Sequence, residues 1–346
     1  MELSVIFIER GVQLKNNTKV ILTALIIVAL IGAGIVYFRS DLFQTKPVDD
    51  RKVVNQVKNV DGTSAKIIGI YSSRADLHLH KSSNGQMQAK INGKIPKQDK
   101  VELKWSKQGK GIYLKVYYLE NDMKTEREKE KQAFPDELSL DVFIPSKVYD
   151  SIEMSTHDGN VTSDIPLQAS EMKVDTQEGS VNLTNISGDQ VQFKSDEGNI
   201  QLKKVNAGYM TLTSWEGNIS LTDSVGQVNG ESHSGNINIT RYNGSMILKS
   251  STGNIKAEQI APVYTSDEIT TDSGNVDFAF QTLPTNLYLA LTSESGSLKN
   301  SLPTKKMIDK DKDYYHIRYI KGTLGNGTGN VVIDTKSGNI HVSLKK

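Results

Sequence analysis

Four acids recur at one position of a periodic pattern. Asp158, Glu178, Glu197 and Glu216 each stand immediately before a glycine, and Trp215 precedes the last of them. If the segments that carry them stack as strands of one sheet, the carboxylates form a column at intervals of about 5 Å. Such a like-charge row is either screened by salt or bridged by cations. Paired acids can also cleave glycosides, and an exposed tryptophan beside carboxylates suits a sugar ring or a cell-wall polymer. The alternative is a solvated turn edge, and the tandem glycine-aspartate motif of calcium-binding solenoids is missing from the chain.

Other chemistry is thin. His78 and His80 share a strand face, yet no third metal ligand is indicated and the pair reads as exposed strand histidines. Ser232, His233 and Ser234 fall in a repeat turn, and the chain contains neither a nucleophile elbow nor a glycine-rich phosphate loop. Cysteine is absent, which excludes disulfides, thiolate metal sites and cysteine nucleophiles. The 41 basic and 40 acidic side chains cancel, so no overall positive field draws the protein to nucleic acid. The expectation is a protein without catalytic activity and without a cofactor.

The acids owe their spacing to a repeat. Gly159, Gly179, Gly198, Gly217, Gly235, Gly253, Gly274 and Gly296 follow one another at intervals of 18 to 22 residues, and Gly338 restores the pattern after an insertion over 299–315. Three positions before each of these nine glycines stands a serine or threonine, and one position after it an asparagine or serine. Apolar residues two and four past the glycine (Ile200 and Leu202, Ile219 and Leu221) form one inward strand; those seven and five before it (Val191 and Phe193, Met210 and Leu212) form another. Each copy therefore reads as strand, tight turn, strand, the glycine accepting a positive φ. A second turn is marked by Gly188, Gly208, Gly226 and Gly244. One such copy cannot bury its own apolar edge, so stacking is required. The fold class is all-β, a flattened β-helix with coils of about 19 residues whose Ser/Thr and Asn positions form surface ladders. A sandwich of antiparallel hairpins is the competing arrangement, but hairpins do not need one residue type at one offset nine times.

Upstream, alternation in Ala75–His80, Gln86–Ile91 and Ile112–Val116 predicts an N-terminal β region over 63–150, interrupted by the mixed-charge stretch Glu120–Lys131. Residues 39–62 are polar and turn-rich and read as a stalk. The run Val20–Phe38 carries no charge and no proline, long enough as a helix to cross the hydrocarbon core. No small-residue cleavage site follows it, so it is expected to remain as a single-pass anchor. Arg10, Lys15 and Lys19 before it place residues 1–19 in the cytoplasm and the rest outside.

The repeated S/T-x-x-G-N-I/V motif, the Leu138–Pro145 segment and the N-terminal apolar run together resemble the putative-adhesin family of bacterial β-strand-repeat proteins. The likeness covers about residues 63–346, and the anchor resembles LiaG-type members encoded beside cell-envelope-stress genes. The resemblance implies a cell-envelope interaction module, with a cell-wall polymer or another envelope protein as partner. The family offers no active-site motif to carry over. A polysaccharide-active or polysaccharide-binding solenoid using the acidic column is the alternative.

Overall fold

The computed structural model describes residues 51–120, 137–260, 266–309 and 317–345. The anchor run 20–38, the first part of the expected stalk and most of the mixed-charge stretch Glu120–Lys131 lie outside the described residues. Among the described residues all regular structure is β, in 23 strands, and no helix is long and apolar enough to cross a membrane.

The repeat folds into parallel coils in the register its apolar positions dictate. Val181, Ile200, Ile219 and Ile237 align from coil to coil, as do Phe193 and Leu212 on the strand before the turn. These side chains are buried, and their alternation with exposed neighbours sorts each strand into a core face and a solvent face. The strands are longer than the repeat suggests. Val181–Ser195, Ile200–Ser214, Ile219–Ser232 and Ile237–Ser250 each run unbroken through the second corner.

That corner corrects one expectation. Its left-handed residues are Asn185, Lys204, Asp223 and Arg241, with φ of 60°, 56°, 54° and 50°. They precede the glycines expected to turn the chain, of which Gly226 and Gly244 alone have positive φ. Asn and Asp tolerate this region through local side-chain hydrogen bonding; Asp223 and Arg241 also hold each other across adjacent coils in a two-point ion pair at 2.5 and 2.7 Å.

The nine repeat-turn glycines are corrected too: none has a positive φ. They are required by the approach of one coil to the next. A Cβ built on Gly217 falls 2.0 Å from the carbonyl oxygen of Gly198, and the same backbone contact recurs along the stack. The hydroxyl ladder is likewise interior. Thr176, Ser195 and Ser232 are buried and spend their hydroxyls on turn backbone, as when Ser195 donates to the Gly179 carbonyl at 2.9 Å. Only the asparagine ladder reaches the surface, each amide oxygen accepting the backbone N–H of the next coil, from Asn199 through Asn218 and Asn236 to Asn254.

The glycine alignment undercounts the coils. Ile67–Tyr71 and Asp76–Lys81 pair in parallel with Val148–Ser155 and Val161–Ser163, so Ser72-Ser73-Arg74-Ala75-Asp76-Leu77 is a further copy with alanine at the glycine position. Ser72 keeps the hydroxyl role toward the Ala75 N–H. On the far side of this coil lie Gly111–Leu119 and Glu137–Ile144, which pair with its two halves. The order is also not sequential at the other end. Asn330–Thr335 and Ile340–Leu344, the strands around Gly338, lie between the coils of Gly274 and Gly296.

Antiparallel strands close the stack. At the N-terminal end Lys52–Val60 pairs with Met87–Ile95, which pairs with Glu137–Ile144, while Lys100–Gln108 pairs with Gly111–Leu119. Residues 52–60, expected in the stalk, thus form a cap strand, with Val54 buried in the core. At the C-terminal end Leu287–Ser293 pairs with Arg318–Leu324, which pairs with Lys305–Asp309. The insertion over 299–315 supplies the outer strand of this cap, Lys305–Asp309. Such strands end the ladder, where a bare parallel edge would recruit other chains.

Candidate functional site

The acids lie on the exposed turn edge of successive coils. Only the first two are gathered: ligand atoms of His157, Asp158 and Glu178 lie within 4.8 Å of one another, the one such group among the described residues. His157 Nδ1 contacts Asp158, and this bond raises the imidazole above its ordinary value. Glu197 and Glu216 extend the column without joining the group, and the next coils carry Ser234 and Thr252 at the same position. The four carboxylates therefore share an edge but not a single cation site. Trp215 is 59% exposed and stacks on His233 of the next coil, ring centres 4.3 Å apart and nearly parallel.

The strand histidines are engaged laterally. His78 Nδ1 meets the Thr162 hydroxyl at 2.6 Å, and His80 lies between Asp141 at 2.9 Å and Asp164 at 2.7 Å. His80 also stacks on Phe143. These contacts link neighbouring coils.

Sequence reasoning missed a groove. Where the hairpin Lys100–Leu119 meets the outward face of the first coils, an open groove of about 960 Å³ is lined by Tyr71, Tyr113, Tyr117, Ser73, His157, Gln177, Lys115, Asp175, Lys194 and Asp196 among others. Its aromatic end rests on two strand glycines, Gly69 in mid-strand and Gly111 at a strand start. A Cβ on Gly69 would meet the rings of Tyr113 and Tyr71, and one on Gly111 would meet Tyr113 again, so the absence of side chains lets the tyrosine lie against the backbone. The Tyr71 hydroxyl donates to Glu153 at 2.7 Å; burial first, then this carboxylate, raises its pKa. The signal available beforehand was a glycine directly opposite a tyrosine, Gly69 beside Tyr113, in strands otherwise made of β-formers.

The fold and this surface define a capped β-solenoid with a regular outward face. The chain belongs to the Toastrack DUF4097 family, whose model matches residues 65–343. Solved structures similar to it include a putative cell adhesion protein from Clostridium sporogenes, at 12% identity over 85% of this chain and 100% of that one, TM-score 0.22. A putative adhesin from Bacteroides fragilis is 12% identical over 85% and 97% of the two chains, TM-score 0.42. A putative adhesin from Parabacteroides distasonis is 11% identical over 86% and 98%, TM-score 0.46. The comparison with curated proteins gives no match.

Proposed function

We propose that the chain is held in the cell membrane by one helix over residues 20–38 and that its folded unit stands outside as an adhesin-like interaction module of the envelope. It holds a cell-wall polymer or another envelope protein and does not transform it. The observation that carries this reading is the outward face of the coils, where exposed aromatic and polar side chains are fixed in register by continuous backbone ladders. The charge-free apolar run supports the anchor. Glycoside cleavage needs two carboxylates on facing elements across a bound sugar, whereas these acids lie along one turn edge. A role under envelope stress is the finer part of the proposal.

Protease added to intact protoplasts tests it. Loss of the folded unit, with a membrane-retained N-terminal fragment, is expected. A protected full-length chain, or a soluble form beginning after residue 38, refutes it.

A further inference from the structure

We propose that the groove binds a neutral, extended glycan chain that lies along the stacking direction, across the coils, and reaches Trp215. This inference rests on the reading of the chain as a binding module and assigns that module a ligand class.

Repeat geometry comes first. Ser73, His157, Gln177 and Asp196 occupy one repeat position on consecutive coils, each backbone N–H bonding the carbonyl of the residue before it in the row, and Trp215 follows by the same bond to Asp196. The first four line the groove. Coils are spaced by about 4.8 Å, close to the advance of one pyranose unit in an extended chain. Each sugar of such a chain therefore meets an equivalent position: a hydroxyl, an imidazole, an amide, a carboxylate. These are the groups that pair with sugar hydroxyls, and an extended peptide, advancing about 3.4 Å per residue, does not match the spacing of the coils.

Charge decides between polymers. The groove's lysines and aspartates balance, Lys115 and Lys194 against Asp175 and Asp196, and Lys194 is already paired with Asp196 at 2.9 Å. His157 is taken up by Asp158. A strongly anionic polymer finds no cationic row in the groove and meets the exposed acids Glu178, Glu197 and Glu216 beside it. A hydroxyl-rich neutral chain suits a lining whose lysines and aspartates balance in number. The aromatic groups fit the same ligand. Tyr113 lies against glycine backbone at one end, Tyr117 four residues further along the strand is 41% exposed, and Trp215 lies one coil beyond Asp196. Rings of this kind pack against the C–H faces of sugars.

The experiment uses the full-length chain in detergent micelles, titrated with linear β-1,4-linked N-acetylglucosamine and glucose oligomers of four and six units, and with polyglutamate and polyphosphate as anionic probes. Calorimetry and tryptophan fluorescence report binding. At least one neutral series is expected to bind saturably, with affinity unchanged between about 50 and 500 mM NaCl. Gln177→Ala, an exposed substitution, weakens both lengths. Trp215→Ala weakens the six-unit chain by about five-fold and the four-unit chain little, because only the longer one reaches the last ring. Circular dichroism of both variants controls for folding.

No binding of any neutral oligomer overturns the assignment, and so does binding indifferent to both substitutions. If an anionic probe binds instead, with a Gln177-dependent affinity, the ligand class is wrong while the binding module stands. Failure of the module itself would appear independently, in the protoplast experiment.

Discussion

Replacing Gly217 by asparagine separates two reasons for a glycine. If the turn needed a positive φ, asparagine would serve, since it visits the left-handed region at small cost. The structure gives the other reason: the added Cβ lies 2.0 Å from the Gly198 carbonyl oxygen and 2.5 Å from its carbon. Relief requires the two coils to part locally by about 1 Å, which takes hydrogen bonds of ordinary length beyond their useful range. Three span this point, from Glu216 N–H to Asp196 at 2.8 Å, Trp215 N–H to Asp196 at 3.1 Å and Asn218 N–H to the Asn199 side chain at 2.8 Å. At about 1 kcal/mol each, their loss costs about 3 kcal/mol. Gly109 is the control: its φ is +57° and a Cβ there meets nothing within 4 Å, so Gly109→Asn changes stability by less than about 0.5 kcal/mol. Urea unfolding of the full-length chain, followed by circular dichroism, measures both. Equal midpoints for the two variants would refute the close-approach argument.

Two further outcomes follow from charged groups. Asp267 is fully buried, accepts one bond from the Met246 N–H at 2.8 Å, and has its carboxyl raised to about 7 chiefly by burial. Between the unfolded value of 3.8 and about 7 the folded chain holds a proton that the unfolded chain releases, so stability falls as pH rises through that window and is level above it. Asp267→Asn should remove this slope and be more stable at pH 8 by up to about 4 kcal/mol, the difference vanishing below about pH 4; an unchanged pH profile in unfolding experiments would contradict it. On the acidic edge, only Asp158 and Glu178 come together and His157 engages the first, so calcium and sodium at matched ionic strength should move the unfolding midpoint alike. A calcium-specific rise that Glu178→Gln abolishes would instead show that the column holds cations.

The coils were legible because a backbone contact at van der Waals range forbids any side chain, and that prohibition repeats as glycine at a fixed offset. The coil of Ala75 was not, for the same reason. The strands Gly111–Leu119 and Glu137–Ile144 flank its two halves, and the chain between them, residues 120–136, contains no glycine, so the marker disappears. Positive φ was read into the wrong residues because a turn glycine has two possible causes that composition does not separate. The real left-handed corner is held by Asn185, Lys204, Asp223 and Arg241, four different residue types with no single marker at that position. Coil order was illegible at the C-terminal end because every coil presents the same apolar ladder, and nothing in Val331 or Ile333 says which neighbours they join. The acidic edge was visible as a column. The groove was not, since it arises where a hairpin curls over a face and draws on residues far apart in the chain.

The displaced coil around Gly338 also bears on the protein's synthesis. A solenoid stacked in chain order can settle coil by coil as it emerges. Here Gly274 lies against Gly338 on one side, and Gly338 in turn lies against Gly296. The earlier-made strands 266–280 and 287–300 must wait for 330–344 to slide between them. A chain cut short before residue 330 contains the cap strands 287–324 but leaves 266–280 and 287–300 without the coil that joins their parallel edges. The stack therefore cannot be finished in chain order, and its C-terminal end depends on the last-made strands.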